Sequence, residues 1–325
     1  MKREKEYKKL KKLIKKSKTI FFMNHKNLDL DAIGSSIGMY SIAEELKKEC
    51  FIVVDDEEHE KGVGKVLKEI EGVYNVISSK DLPVYLNKKG KKNLLIILDT
   101  NKEEMLQNKN VLEYFEKIII IDHHKLGKST VEASLIIDEE ISSTCEMVLE
   151  IANYYEKKFK PYVCTLLLAG IVLDTNNFTL KTDSNTFYSA YELTAYGASV
   201  KKVQYLLKQD IEEYNERQKL ISNVDVKKGI AIAKASPYVI YRRDELARAA
   251  DELLYFSDID VSFVIGKIEK NVVAVSARSL GNKDISEIMT RIKGGGDATS
   301  GAAIIKNKKI SEVYDMITDA LKGEK

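Results

Sequence analysis

A chain of 325 residues with 44% apolar side chains is long enough to fill two packed domains. Charged residues make up 31%, yet the formal net charge is only +2, which excludes a general electrostatic attraction to nucleic acid. No apolar run approaches the about 18 residues of a membrane span, no signal peptide is visible, and Cys50, Cys145 and Cys164 lack any zinc or C-x-x-C spacing, which suits a reducing cytosol.

Residues 1–18 read as a basic helix with Leu10, Leu13 and Ile14 on one face. The expectation is a solvated helix laying a narrow stripe on the domain; contact with an acidic membrane or a nucleic acid is the alternative. Residues 19–23 read as a strand, and a helix with Ile33, Ile37, Tyr40 and Leu46 follows. His25, Asp29 and Asp31 lie on the loop between them. One imidazole and two carboxylates this close can converge on cations; helix capping accounts for one carboxylate, not for the set. Gly34 and Ser35 would let a phosphate approach the backbone N–H groups. Residues 51–54 are a second strand, and the acidic run 55–60, with His59, is expected to be a solvated loop. Residues 93–98 form another buried strand, ending at Asp99.

Residues 118–121, all isoleucine, run straight into Asp122, His123 and His124. A continuous apolar run suits a strand buried on both faces of a parallel sheet, and ligand groups gather beyond the carboxyl ends of such strands. Two of the chain's four histidines stand there. Ser143 and Glu146 fit a capping box at a helix start. After Pro161 the apolar segment 163–173 ends in Asp174. The alternation of strand-like and helical stretches predicts an α/β fold with a doubly wound, mostly parallel sheet. His25, Asp29, Asp31, Asp99, Asp122, His123, His124 and Asp174 would then share one rim. Oxygen and nitrogen donors without thiolate favour Mn²⁺, Mg²⁺ or Fe²⁺ over structural zinc. Two such cations, about 3.5–4 Å apart, can clamp a phosphodiester, activate water and stabilise the leaving oxygen.

Residues 200–224 read as a charged helical connector with Leu206, Leu207, Ile211 and Leu220 apolar. From 225 a smaller mixed α/β domain is expected, with strands at 229–235, 262–268 and 272–277 and helices at 244–253, 284–292 and 310–321. Arg278, beside Ser279 after a strand, carries a fork that suits a phosphate or a surface carboxylate. Gly294, Gly295, Gly296 and Asp297 open a glycine-rich turn, extending to 303, with exposed backbone donors.

The set His25-x3-Asp29-x-Asp31, Asp99-Thr100-Asn101, Asp122-His123-His124, residues 142–146 and Asp174-Thr175-Asn176-Asn177-Phe178 resembles the DHH phosphoesterases, most of all the catalytic part of GdpP-type cyclic-di-AMP phosphodiesterases. Arg278 with the glycine turn resembles the DHH-associated C-terminal domain. The resemblance covers nearly the whole chain. It implies a catalytic domain over 1–199, the connector 200–224 and a substrate-binding domain over 225–325. It further implies that His25, Asp29 and Asp99 hold one divalent cation and Asp31, Asp99, His123 and Asp174 the other, manganese before magnesium or iron, with Asp99 bridging. Asp122 would orient His123. His124 would face the phosphate, either stabilising charge there or protonating the leaving oxygen. Arg278, Ser279, Gly294, Gly295, Gly296 and Asp297 would contact the nucleotide in a cleft between the domains.

Two departures stand out: Leu28 occupies a usual proline position, and Asp297 a usual histidine position. An ionised aspartate cannot donate a hydrogen bond to phosphate. The implied activity is cytoplasmic, two-metal hydrolysis of cyclic di-AMP to linear pApA, with onward cleavage to AMP left open. An oligoribonuclease and 3′-phosphoadenosine-phosphate phosphatase of NrnA type is the first alternative, and a nucleotide-binding regulator with a weakened site the second. The expected partner is a cyclic dinucleotide or short linear nucleotide, without duplex nucleic acid and without a membrane span in this chain; a homodimer is left open.

Overall fold

The computed structural model describes residues 3–55, 59–86, 92–127, 129–281 and 283–322. It divides into two compact units, Met1–Lys208 and Gln209–Lys325. The first is built from α1 (Glu4–Lys16), β1 (Thr19–Met23), α2 (Leu30–Glu45), β2 (Glu49–Val53), α3 (Lys61–Ile70), β3 (Val76–Ile77), α4 (Leu82–Tyr85), β4 (Asn93–Leu98), β5 (Ile118–Asp122), β6 (Ser134–Ile137), α5 (Thr144–Tyr154), α6 (Pro161–Asp174), α7 (Ser184–Ala195) and α8 (Val200–Leu206).

Its strands pair in parallel in the order β3-β2-β1-β4-β5-β6. Ile20, Phe22, Leu94 and Ile96 belong to the core on one face, Phe21, Met23, Leu95 and Ile97 to the core on the other. Burial on both faces is why these strands read as unbroken apolar runs. The strand order reverses between β1 and β4, the topological switch point where α/β sheets bind ligands beyond their carboxyl ends. The expected doubly wound parallel sheet is what forms.

Several local expectations change. Residues 163–173 lie inside α6, a helix with buried residues from Val163 to Ile171. An apolar run without a polar face does not distinguish a buried helix from a buried strand, so Asp174 reaches the rim from a helix end. The strands β3 and β6 are short and lie at the sheet edges, too weakly patterned to be read from sequence. Of the acidic run 55–60, residues 56–58 lie outside the described residues. The basic helix α1 buries Tyr7, Leu10 and Ile14. The Tyr7 hydroxyl donates to Glu150 at 2.9 Å, and the Tyr155 hydroxyl to the Tyr7 carbonyl at 2.8 Å.

The second unit comprises α9 (Ile211–Ser222), β7 (Val224–Lys227), β8 (Ile230–Lys234), α10 (Arg243–Leu253), β9 (Val261–Glu269), β10 (Val272–Ser279), α11 (Ile285–Arg291), β11 (Gly295–Gly296), β12 (Ser300–Lys306) and α12 (Ile310–Lys322). Its sheet runs β11-β12-β10-β9-β8-β7, with only β8 and β9 parallel. The stretch 300–303, read as part of a glycine turn, opens β12 and pairs with β10. Residues 200–224 hold two helices, α8 in the first unit and α9 in the second.

Candidate metal centre

The turn after β1 places the first donors. Asp29 caps α2, its Oδ1 accepting from the Ala32 amide at 2.9 Å. Its other oxygen, Oδ2, lies 3.6 Å from His25 Nε2. The His25 ring is oriented by Nδ1, which lies 2.7 Å from the Lys26 carbonyl. A carbonyl only accepts, so Nδ1 donates to it, and Nε2 is the nitrogen turned to the carboxylates, where a cation would take the place of its proton. Leu28 is fully buried in the core, and its carbonyl accepts from the Glu60 amide at 3.1 Å. Packing therefore holds the loop where the resembled family uses proline.

Asp99 follows β4 with a left-handed φ of 62° and is 2% exposed. Its Oδ2 lies 3.3 Å from His25 Nε2, and its Oδ1 lies 3.5 Å from His123 Nε2. His123 Nε2 also stands 3.1 Å from Asp174 Oδ2. Asp31 is fully buried, with its two oxygens accepting from the amides of Thr144 and Cys145, each at 2.8 Å. Among the described residues, three groups have ligand atoms within 4.8 Å of one another: His25, Asp29 and Asp99; Asp31, Asp99, His123 and Asp174; and Asp99, His123 and His124. Asp99 belongs to all three.

These residues fit a divalent cation on their own evidence. Both ring nitrogens of His123 are buried without a hydrogen-bond partner, although Nε2 stands close to two carboxylates. Buried polar atoms normally find partners. Burial pushes the Asp31 carboxyl well above its ordinary range, and Asp99 and Asp174 add to the rise. Burial raises Asp174 as well. For Asp99, burial is outweighed by His123 and His25, which hold it well below the usual range. Burial works against the charged forms of His25 and His123, yet their carboxylate neighbours hold both well above the usual imidazole value. A cation in contact with these groups takes over the role of their protons.

Asp122 does not meet the expectation set for it. Its Oδ1 lies 2.8 Å from Nδ1 of His124, not against His123. The buried Asn101 secures the far oxygen, donating to Asp122 Oδ2 at 2.6 Å. His124 is thereby held while its side chain stays 52% exposed. The capping box at α5 is also only half present. Ser143 accepts from the Glu146 amide at 3.1 Å, but the Glu146 carboxylate turns to the Ser142 and Ser189 hydroxyls. Asn101 and Thr144 are the residues that sequence reasoning left without a role. Asn101 directly follows Asp99-Thr100, and Thr144 stands in the capping stretch, so each had a positional signal but no chemical one.

In the second unit Arg278 lies within β10 and donates from Nε to Asp251 at 2.6 Å and from Nη1 to the Ala277 carbonyl at 3.0 Å. Ser279 is buried, its hydroxyl accepting from the Gly281 amide at 3.0 Å. A Cβ on Gly294 would meet the Ala302 carbonyl at 2.6 Å, and one on Gly296 the Ser300 carbonyl at 2.1 Å, whereas Gly295 faces open space. Asp297 Oδ1 accepts from the Thr299 and Ser300 amides, each at 2.8 Å. Both hydroxyls donate to its carboxylate as well, each at 3.0 Å. Burial would raise this carboxyl, but these donors outweigh it and hold it below its usual range. Asp297 is thus an ionised cap of its own turn.

The DHH family, N-terminal domain, matches residues 19–171, and the DHHA1 domain matches residues 229–323. The chain belongs to the DHH family. Cyclic-di-AMP phosphodiesterase GdpP of Geobacillus thermodenitrificans is 36% identical over 96% of this chain and 48% of its own length. A bifunctional oligoribonuclease and PAP phosphatase NrnA of Thermus thermophilus is 25% identical over 94% of this chain and 90% of its own length. The chain spans about half the length of the cyclic-di-AMP phosphodiesterases it matches. An exopolyphosphatase-related protein from Bacteroides fragilis, covering 98% of this chain and 96% of its own, shares the DHH fold with a TM-score of 0.79 at 18% identity. Among the described residues no helix is long and apolar enough to cross a membrane.

Proposed function

We propose that the chain hydrolyses cyclic di-AMP to linear pApA, and pApA onward to AMP, at a centre of two divalent cations on the rim after β1, β4 and β5. The observation that supports this is the sharing of Asp99 between two donor sets. His25, Asp29 and Asp99 would hold one cation; Asp31, Asp99, His123 and Asp174 would hold the other. Carboxylate and imidazole donors put manganese first, with magnesium or iron as substitutes. When bound, such cations supply a Lewis acid for a phosphate oxygen and lower the pKa of water toward neutrality.

The protein's own part is orientation and proton transfer. Hydrolysis replaces a P–O3′ bond by a bond from water oxygen, and the departing oxygen takes up a proton. His124, exposed and backed through Nδ1 by Asp122, is the group we assign to donate it. On the second unit, Gly295 gives a phosphate open access to the backbone, and the Arg278 fork has donors beyond the two that serve Asp251 and Ala277. Ser279, Gly294 and Gly296 shape that surface, and Asp297 holds the turn. Three free, buried cysteines suit the reducing cytoplasm as the place of action.

Product analysis with cyclic di-AMP, pApA and pAp, run in manganese and after exhaustive chelation, tests this reading. Cyclic di-AMP should give pApA, and turnover should stop on chelation and return with manganese. Activity that survives chelation rules out the two-cation centre. Faster attack on pAp than on cyclic di-AMP would favour the NrnA-type reading, which the match over 90% of that relative's length supports. Nucleotide binding without turnover would make the chain a regulator.

A further inference from the structure

The carboxylate shared between the two donor sets has to present a different oxygen to each. Oδ2 of Asp99 faces His25 at 3.3 Å, and Oδ1 faces His123 at 3.5 Å. Nothing intrinsic to aspartate fixes that choice, because χ2 at a terminal carboxylate is a broad, two-fold torsion. The backbone is fixed, by the left-handed φ of 62° and by the Asp99 amide donating to the Ile121 carbonyl at 3.1 Å. The ring of freedom left is rotation of the carboxylate itself.

One side chain outside the donor sets addresses it. The Thr144 hydroxyl donates to Asp99 Oδ1 at 3.0 Å, and both groups are buried. Thr144 is the first residue of α5, where the preceding residue, Ser143, is the cap. Inside a helix a threonine can turn its hydroxyl back to a carbonyl three or four residues earlier, but at the first helical position no preceding helical turn exists. The hydroxyl is therefore available to point inward. The same turn fixes Asp31, through the amides of Thr144 and Cys145. Thr144 thus touches both an unshared donor, through its amide, and the shared one, through its hydroxyl.

We infer that Thr144 is a positioning residue for the cation pair: its hydroxyl sets the rotation of the Asp99 carboxylate, so that Oδ1 serves the His123 and Asp174 side while Oδ2 serves the His25 and Asp29 side. This rests on the two-cation reading above. It assigns Thr144 no contact with substrate. Losing the hydroxyl lets the carboxylate turn, and the cation on the His123 side, which depends on Oδ1, suffers first.

The test uses the full chain, stripped of metal and titrated with Mn²⁺ by calorimetry, with electron paramagnetic resonance reporting whether two ions are coupled. The native chain should bind two ions with a coupled spectrum. Thr144→Val should keep one site and weaken the other by about 10- to 100-fold, the usual cost of removing a group that orients a ligand, and the coupling should vanish at intermediate manganese. Thr144→Ser, which keeps the hydroxyl, should restore both. Should the valine variant fail to fold by circular dichroism, Thr144→Ala takes its place, since it removes the same hydroxyl with less bulk. Unchanged affinities and coupling in the hydroxyl-free variant overturn the inference, as does an equal loss at both sites or a failure of serine to restore them. A native chain that binds fewer than two ions would instead sink the two-cation reading, and the role of Thr144 with it.

Discussion

The rim of the first unit and the glycine turn of the second treat their polar groups in opposite ways. At the rim, His123 is 4% exposed, its Nδ1 has no partner, and carboxylates of Asp31, Asp99 and Asp174 crowd its Nε2 without a hydrogen bond that meets good geometry. In the turn, the Asp297 carboxylate has drawn in the amides and the hydroxyls of both Thr299 and Ser300. Leaving buried polar groups unsatisfied is costly, and such sites call for a further partner. A turn that satisfies itself is maintaining its own shape. The comparison assigns chemistry to the rim and backbone geometry to the turn, although both stretches are rich in residues that suggest ligand contact.

The change with the largest expected effect breaks the rim at its shared member. Asp99→Asn keeps the shape and an oxygen for the Thr144 hydroxyl while removing the charge. Release of pApA from cyclic di-AMP in manganese should fall by more than about a hundredfold, the scale of losing one preorganised electrostatic group. Thermal unfolding of the metal-free protein should come earlier but stay cooperative, because His25 and His123, which hold the Asp99 carboxyl below its usual range, lose their shared counter-charge. Turnover near the native level would move the chemistry away from this rim.

Next in size is a change to the packing beneath the rim. A Cβ on Gly170 would meet Cys145 Sγ at 2.5 Å and Asp31 Oδ1 at 2.8 Å. Gly170→Ala should cost about 1–3 kcal/mol by overpacking and weaken manganese binding, because the displaced atom belongs to a donor. Calorimetric unfolding and manganese titration of the same sample check both halves. Intact manganese binding in a destabilised protein would show that Asp31 is not a ligand.

The turn offers the contrasting case. Asp297→Ala should lower stability by about 1–2 kcal/mol, the range for losing a capping side chain, and Asp297→Asn by less, since one side-chain oxygen remains for the amides. Neither should alter manganese affinity. A loss of manganese binding in either variant would remove the distinction between the two regions.

What sequence could show about each region follows from the range of the interactions. His25, Asp29, Asp31, Asp99 and His123 were legible because each stands just past an apolar run, and strand ends in a parallel sheet converge by topology. Asp174 was legible as a donor but not as the end of a helix, because α6 has no polar face to reveal its period. The pairing of Asp122 with His124, and the reach of Thr144 to Asp99, depend on the angle at which α5 and the loop after β5 arrive. Spacing along the chain does not encode those angles. The turn is the reverse case. Asp297, Thr299 and Ser300 sit within four residues and form a local aspartate turn, so its self-satisfaction could have been read from sequence, yet the glycines before it drew attention to a ligand instead.

The smallest expected effect is on titration of that cap, and its sign follows from the donors. Although burial opposes ionisation, the Thr299 and Ser300 groups hold the Asp297 carboxyl below the usual aspartate range. A depressed folded value means that the carboxylate's contribution to stability is fully present above the unfolded value and is lost as pH falls through the folded one. Between neutrality and pH 5 the turn should therefore be unaffected. Amide resonances of Thr299 and Ser300, followed by NMR as the sample is acidified, should begin to move only below about pH 4, the ordinary aspartate range. The Asp297→Asn protein should show no such transition at these two amides. A midpoint above that range would mean that burial outweighs the hydrogen bonds, that Asp297 is readily protonated, and that the turn offers an O–H donor to a phosphate instead of a fixed negative charge.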